Sequence, residues 1–383
     1  MNYINKMYLI VGSGLSGSVI AERIANVLNE KVLIIEKLSH IGGNCYDYID
    51  EETNILCNKY GAHIFHTNNE EVWQYINSFN TKWINWQHKV VSKVDDKYVP
   101  IPINITTVNE LLNENINDKN EMNEWLKRNQ ISYENINNSE EMALSRIGTV
   151  LYNKLIKDYT YKQWNKYPIE LDKSVLERIP VRNDNNCRYF NDKYEALPEK
   201  GYTKFIEELL NNELITVLLN TDFNEYKKTN DLSKYKKIIY TGPIDKFYDD
   251  LEKLEYRSIN FIKEVYKNTN FFQENSVVNY PTTEVPYTRI VEYKHFLNQP
   301  SKDTIIFKEI TTDKGDPYYP VPNKHNLELY ELYKNRADKE ENVYFIGRLA
   351  NYKYFNMDEA IYNSLLLFKN SINNNNNNVN CSI

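Results

Sequence analysis

Glycine is scarce in this chain, with 11 among 383 residues beside 32 tyrosines. Each glycine that remains is therefore worth reading for a positive φ or a close backbone approach. Cysteine is scarcer. Cys45, Cys57, Cys187 and Cys381 stand apart without a CxxC pair, which argues against a thiolate metal site and for free thiols in a reducing compartment. The six histidines are dispersed, so neither a metal cluster nor a Ser/His/Asp set is in view. No apolar run approaches the roughly 18 residues of a membrane span. Excess positive charge is missing as well. The net charge is −7, which disfavours a nucleic-acid partner but lets a few arginines hold an anionic small ligand inside a cleft.

What is present looks globular. Hydrophobic residues make up 41% and charged residues 26%, and the length suits two or three domains. The N-terminal residues pass through Tyr8-Leu9-Ile10-Val11 straight into glycines. That is a buried strand with no cleavable signal ahead of it, and a cytoplasmic protein is the expectation. Asparagine is abundant throughout and runs unbroken from Asn373 to Asn378. An AT-rich coding bias accounts for this, and 371–383 reads as a disordered polar tail.

Residues 7–11 and 32–36 are short apolar runs, as in strands buried on both faces. Between them Leu15, Val19, Ile24, Val27 and Leu28 recur at helical spacing. Asn69 followed by Glu70 and Glu71 opens a second helix over 69–78. Trp83 to Ile103 alternates and carries prolines, which suits edge strands of an antiparallel sheet. From about 105 to 176 the pattern is helical, with Asn138 and Glu141 spaced as a capping box and Ala143, Ile147, Leu151 and Leu155 at four-residue steps. Residues 257–311 read as strands, 202–210 and 359–368 as helices, and Val343 to Ile346 as a last strand.

Gly12-Ser13-Gly14-Leu15-Ser16-Gly17 is a G-x-G-x-x-G that follows a strand and opens a helix. Its glycines permit the tight turn, the approach of backbone to a pyrophosphate, and close helix–strand packing. Alone the motif is weak. Glu36, closing the next strand, supplies the acid that accepts from a ribose hydroxyl, and the combination points to a dinucleotide. Ile41-Gly42-Gly43-Asn44 is either a plain turn or a second backbone run along the diphosphate, a habit of FAD folds of the glutathione-reductase type. Gly347-Arg348 followed by a helix from Asp358 offers the distant C-terminal contact that FAD proteins use. The expected fold is α/β: a discontinuous Rossmann-like FAD-binding domain (1–81, 201–246 and 336–370). Into it are inserted a helical domain (105–176, with a mobile loop at 177–190) and an antiparallel-sheet domain (82–104, 191–200 and 247–335).

Further segments carry a resemblance. They are Lys59-Tyr60-Gly61-Ala62-His63-Ile64-Phe65-His66-Thr67-Asn68, Tyr159-Thr160-Tyr161-Lys162-Gln163-Trp164, Arg178-Ile179-Pro180-Val181-Arg182 and Tyr240-Thr241-Gly242-Pro243. Leu254-Glu255-Tyr256-Arg257-Ser258, Val285-Pro286-Tyr287-Thr288-Arg289, Pro317-Tyr318-Tyr319-Pro320 and Gly347-Arg348-Leu349-Ala350 through Tyr354 follow in order. From residue 7 to about 370 the chain resembles the UDP-galactopyranose mutases of the shorter, prokaryotic type. The resemblance implies interconversion of UDP-galactopyranose and UDP-galactofuranose with no net redox change. It also implies FAD, active when reduced, whose N-5 nitrogen attacks the anomeric carbon while the protein positions substrate and stabilises charge. It is compatible with a homodimer.

The resemblance also implies roles. Arg182 and Arg289 would clamp the UDP diphosphate, a guanidinium fork suiting two phosphate oxygens; the plain alternative for either is a surface salt bridge. Tyr319 and Tyr354 would hydrogen-bond the same diphosphate, with Tyr354 near the flavin. Trp164 and Thr160 would line the cleft, although Trp164 by itself could simply be core. Tyr189 and Asn279 match uracil or ribose contacts, and His88 takes a position near the sugar. The implied FAD contacts are Gly12, Ser13, Gly14, Ser16, Gly17, Glu36, Lys37, Gly43 and Asn44, then His63 and Ile64, then Arg348, Tyr354, Asn356, Met357 and Asp358. Arg182, Arg289 and His63 form the implied catalytic set. The Asn-rich stretch 113–138 matches nothing in the family. Pro180 ends the preceding helix at Ile179, so Arg182 is expected on a loop that is open without substrate and folds over UDP. Two rivals share the N-terminal fingerprint: an amine-oxidase-like flavin oxidoreductase, disfavoured by the paired arginines, and a flavin-free binding protein of the same fold, disfavoured by Gly42-Gly43.

Overall fold

The computed structural model describes residues 7–248 and 250–373. Tyr8–Val11 lies between Val32–Ile35 and Ile238–Tyr240, with Ile215–Leu218 and Val343–Phe345 outermost, in a five-stranded parallel sheet. Both faces are covered, which is why the strands read as unbroken apolar runs. Ile10, Ile34 and Ile239 pack with Ile20, Ile24 and Phe368 on one side. Leu9, Val11 and Ile35 pack with Phe223 and Tyr235 on the other. Val27 departs from the expected inner stripe and is 49% exposed. Ile24–Leu28 winds as a π-helix, and the wider turn rotates Val27 outward.

The second sheet has seven strands in the order Tyr319–Pro320, Tyr256–Tyr266, Thr304–Thr312, Arg289–Glu292, Val277–Asn279, Val90–Val94, Lys97–Ile101. Pro100 sits on its edge strand, where a missing N–H costs no ladder bond. The sheet is not wholly antiparallel as expected, because Val277–Asn279 runs parallel to Val90–Val94. These two strands are joined only through the long intervening chain, so no hairpin dictates their direction. Trp83–Asn85 and Tyr194–Pro198, grouped with the large sheet on sequence grounds, instead pair with or beside Phe65–Thr67 in a separate three-stranded sheet.

Ile105–Leu112, Lys119–Asn129, Ser139–Leu151 and Lys157–Trp164 supply the helical layer, whose core holds Ala143, Ile147, Leu151 and Leu155. The stretch 113–138 thus contains a regular helix, capped by Asp118. Asparagine has a local task here, since Asn69, Asn104, Asn138 and Asn323 each accept a backbone N–H at a helix start. The capping box at Asn138 is only half made: Asn138 accepts from Glu141 N at 2.9 Å, but the Glu141 carboxylate turns to Asn137 N. Phe368–Asn373 continues the last helix with Ile372 buried, so the expected tail begins later than 371. Its remainder, with Cys381, lies outside the described residues. No described helix is long and apolar enough to cross a membrane.

Candidate active site

Three glycine turns converge at the carboxyl ends of the parallel strands, where open α/β sheets hold ligands. Gly12 has φ +100°, and a Cβ there would stand 2.1 Å from Thr241 Oγ1. A Cβ on Gly17 would stand 2.1 Å from the Gly12 carbonyl oxygen, and one on Gly43 would lie 3.1 Å from Gly14 Cα. Gly347, over Ser16, completes the group. The helix Leu15–Arg23 starts at Gly14 with no side-chain cap and no acid in its first turn. Its leading amides and positive dipole end are thus left for an anion. Glu36 is buried and accepts from Ser13 N at 2.8 Å, Ser13 Oγ at 2.9 Å and Leu38 N at 2.9 Å. It therefore holds the first turn in shape, a task its sequence position does not reveal. These close backbone approaches and donors fit a dinucleotide diphosphate. Asn44 lies within the short turn Gly43–Cys45. Lys37 is exposed and ion-paired with Asp316 at 2.5 Å, so its ammonium is already engaged by the large-sheet side.

The C-terminal contacts gather beside these turns. Arg348 Nη2 donates to Phe355 O at 2.6 Å, and Asn356 N donates to Glu359 Oε2 at 2.8 Å where Met357–Leu367 begins. Burial raises the Asp358 carboxyl above its ordinary range, against a hydrogen bond from Thr67. The Arg348 guanidinium lies 4.5 Å from the Tyr354 ring centroid and 5.7 Å from that of Tyr319. Tyr319 and Tyr354 stack at 5.4 Å and 15°. Trp164, 7% exposed, meets Tyr319 edge-on at 6.3 Å, so it belongs to the core while touching that tyrosine. Thr160 is buried on the same helix. Burial pushes the Tyr319 phenol up to about 12. Burial also opposes ionisation of Tyr354, but the Arg178, Arg348 and Arg289 charges win and hold its phenol below the ordinary value.

Arg289 opens the strand Arg289–Glu292, opposite Asn279 on one side and Glu309 on the other. Its Nε donates to Glu309 Oε2 at 2.6 Å, while Glu309 Oε1 is buried without a partner. The salt-bridge alternative is thus realised, though not at the surface: Glu309 is 1% exposed. Only Nε of Arg289 is hydrogen-bonded among the described residues, so the carboxylate fixes the guanidinium and leaves its terminal nitrogens to the cleft. Gly61 permits this packing, since a Cβ there would lie 3.3 Å from Glu309 Oε1 and 3.7 Å from Arg289 Nη2. Glu309 was legible in principle: it shares the strand face of Ile305 and Phe307 by alternation, where a lone acid asks for a partner. Tyr159, whose phenol burial raises beside Arg289, was also missed, although it opens the quoted Tyr-Thr-Tyr-Lys-Gln-Trp segment.

His63 donates from Nδ1 to Gly61 O at 2.8 Å, and its own carbonyl accepts from Tyr202 OH at 3.0 Å. Burial, with Arg348 and Arg289 nearby, pushes this imidazole down to about 4. Burial and Arg289 push His88 down to about 3. Both rings are therefore neutral at pH 7, and His63 presents backbone and a neutral ring, not an imidazolium acid. Ile64 is buried beside it. The His88 carbonyl accepts from Tyr189 N at 2.7 Å, and the two rings lie 5.7 Å apart.

Arg182 is the exception. No helix or strand covers 178–193, and the helix before it ends at Glu177, two residues earlier than expected. Arg182 Nη2 donates to Arg188 O at 2.6 Å and Phe190 O at 3.4 Å, and its Nε is buried unpaired. Its guanidinium is thus folded onto its own loop and is not brought to Arg289. The loop is also docked, for Ile105 N donates to Asp184 O at 3.1 Å and Asn104 Nδ2 to Asn186 O at 3.2 Å.

Comparison with known proteins agrees with this geometry. The family model described as UDP-galactopyranose mutase matches residues 154–354, and one for an NAD(P)-binding Rossmann-like domain matches 10–79. A probable UDP-galactopyranose mutase of Klebsiella pneumoniae is 36% identical over 366 residues, covering 94% of this chain and 93% of that protein. A dTDP-fucopyranose mutase of Escherichia coli is 35% identical, covering 96% of this chain and 100% of that protein. The crystal structure of a reduced UDP-galactopyranose mutase superposes with TM-score 0.76 at 16% identity, over 97% of this chain and 94% of that one, which speaks to the fold. With a dinucleotide cradle at one end, an arginine–tyrosine cleft beside it, and relatives matched over nearly their whole length, the chain belongs to the UDP-galactopyranose mutase family.

Proposed function

We propose that this protein is an FAD-dependent isomerase that interconverts UDP-galactopyranose and UDP-galactofuranose. The observation that carries the reading is Arg289, fixed by a buried carboxylate with its terminal nitrogens left over, beside the stacked Tyr319 and Tyr354. Gly12, Gly14, Gly17 and Gly43 would hold the FAD diphosphate, Glu36 would brace the first turn, and Arg348 with the 61–64 segment would flank the flavin. When bound and reduced, the flavin supplies a nucleophilic nitrogen for the anomeric carbon. Arg289 neutralises the departing UDP and keeps it for return, and Tyr319 and Tyr354 orient it. Trp164, Thr160, Tyr189, Asn279 and His88 would line the nucleoside and sugar subsites. The division into a three-part cofactor unit (1–81, 201–246 and 336–370) with two inserted units, a cytoplasmic location and a homodimer belong to the same reading.

The test is incubation of the yellow holoenzyme with UDP-galactofuranose, with and without dithionite, followed by product chromatography. Conversion is expected with dithionite and close to none without it; equal rates in both would remove the flavin from the chemistry. The dTDP-fucopyranose mutase relative, matched along its full length, supports a second substrate reading. A parallel incubation with dTDP-fucopyranose decides between them, since preference for that sugar would reassign the substrate while keeping the isomerase.

Release of Arg182 from its docked loop on binding of UDP belongs to the same reading. UDP offers its guanidinium better partners than the loop carbonyls do, because charge-assisted bonds are roughly twice as strong as neutral ones. Trypsin is expected to cut after Arg182 or Arg188 in the free protein and to spare both bonds when UDP is present. Identical cleavage in the two states would leave the loop a fixed scaffold.

A further inference from the structure

The steps above leave Arg178 without a task. It follows Ser174–Glu177, four residues before Arg182, and remains exposed. Its guanidinium carbon lies 4.3 Å from the Tyr354 ring centroid, while Arg348 approaches the same ring at 4.5 Å. Other arginines near the cleft have acids: Arg289 has Glu309, Arg188 has Glu195 and Arg257 has Asp313. Among the described residues Arg178 has no acid partner: its bonds are one with the Tyr354 side chain and a long one from Nε to Val175 O at 3.4 Å. An arginine stacked by its face on an aromatic ring keeps its edge N–H donors directed outward. Around Tyr319 and Tyr354, then, the charges of Arg178, Arg289 and Arg348 meet a single buried carboxylate, Glu309. The surplus is positive in a protein whose net charge is −7. Arg348 belongs to the cofactor side through its reach toward His63 and Cys45. That leaves Arg178, over the Tyr354 ring, as the arginine of this group with no carboxylate partner among the described residues.

We propose that Arg178 is a third arginine of the diphosphate site, contacting the phosphates of the sugar nucleotide directly and held ready on Tyr354 while Arg182 is still bound to its own loop. The proposal rests on the reading of this cleft as the sugar-nucleotide site. It separates capture from closure: Arg178 and Arg289 meet the incoming nucleotide while Arg182 is still folded onto its docked loop, and Arg182 joins when the loop moves.

The test compares Arg178→Met with wild type, both FAD-loaded, by titration with UDP and with uridine. Methionine keeps the stem length and removes the charge. The dissociation constant for UDP is expected to rise about tenfold, with that for uridine and the bound FAD unchanged. An unchanged UDP constant would overturn the proposal. So would equal losses for UDP and uridine, since a residue that merely shapes the cleft affects both. If wild type itself bound uridine and UDP equally, the diphosphate reading of the cleft would fall, and the proposal with it.

Discussion

Replacing Arg289 by methionine is expected to weaken UDP binding roughly a hundredfold or more while FAD stays bound. Each charge-assisted hydrogen bond to a phosphate contributes about 1.5–3 kcal/mol, and the two terminal nitrogens of Arg289 are the ones left over from Glu309. The same change has a second consequence. Glu309, 1% exposed, would keep a buried charge with no partner, which destabilises by about 3–5 kcal/mol. Arg289→Met alone should therefore also melt at lower temperature. Pairing it with Glu309→Gln removes the stranded charge, so stability should recover while UDP affinity stays low. Calorimetric titration and thermal melts on both variants separate the two effects. Loss of FAD with UDP binding intact would show that Arg289 serves the cofactor instead.

Gly17→Ala should give a protein that purifies without its yellow colour. The added Cβ would stand 2.1 Å from the Gly12 carbonyl oxygen and 3.1 Å from Ile10 Cγ2. The first of these contacts is backbone, so no rotamer change relieves it. Either the helix Leu15–Arg23 lifts from the sheet or the turn at Gly12 shifts, and both spoil the close approach on which diphosphate binding depends. Overpacking of this kind costs about 1–3 kcal/mol, which a chain of this size survives in folded form. The measurement is the ratio of visible to ultraviolet absorbance after purification, beside a circular dichroism melt. A folded variant with its full complement of flavin would remove the glycine turn from the cofactor site.

The outcome for the arginines shows where sequence reasoning stops. Arg182 and Arg289 stood out because each sits in a distinctive local segment, yet they differ in state. Arg289 is held in the cleft by an acid twenty positions on, across a strand pair whose register no local pattern states. Arg182 instead donates to the carbonyls of Arg188 and Phe190 on its own loop. Arg178 lay in the same five-residue segment as Arg182, but its stacking on Tyr354 joins positions far apart in the chain.

What the sequence by itself determined is what short-range physics writes into it. The glycine turn at 12–17 between buried strands, the asparagine caps at 69 and 138, and the alternating strands before Pro102 each follow from backbone sterics and side-chain period. The order of the longer segments was enough to indicate the family. The tertiary structure alone decided three things: the parallel pairing of Val277–Asn279 with Val90–Val94, the carboxylate of Glu309 under Arg289, and the turning of Arg182 away from the cleft. Each depends on which distant groups meet once the chain is packed. A buried charge or an unfilled guanidinium takes the best partner within reach, and that reach is set in three dimensions, not along the chain.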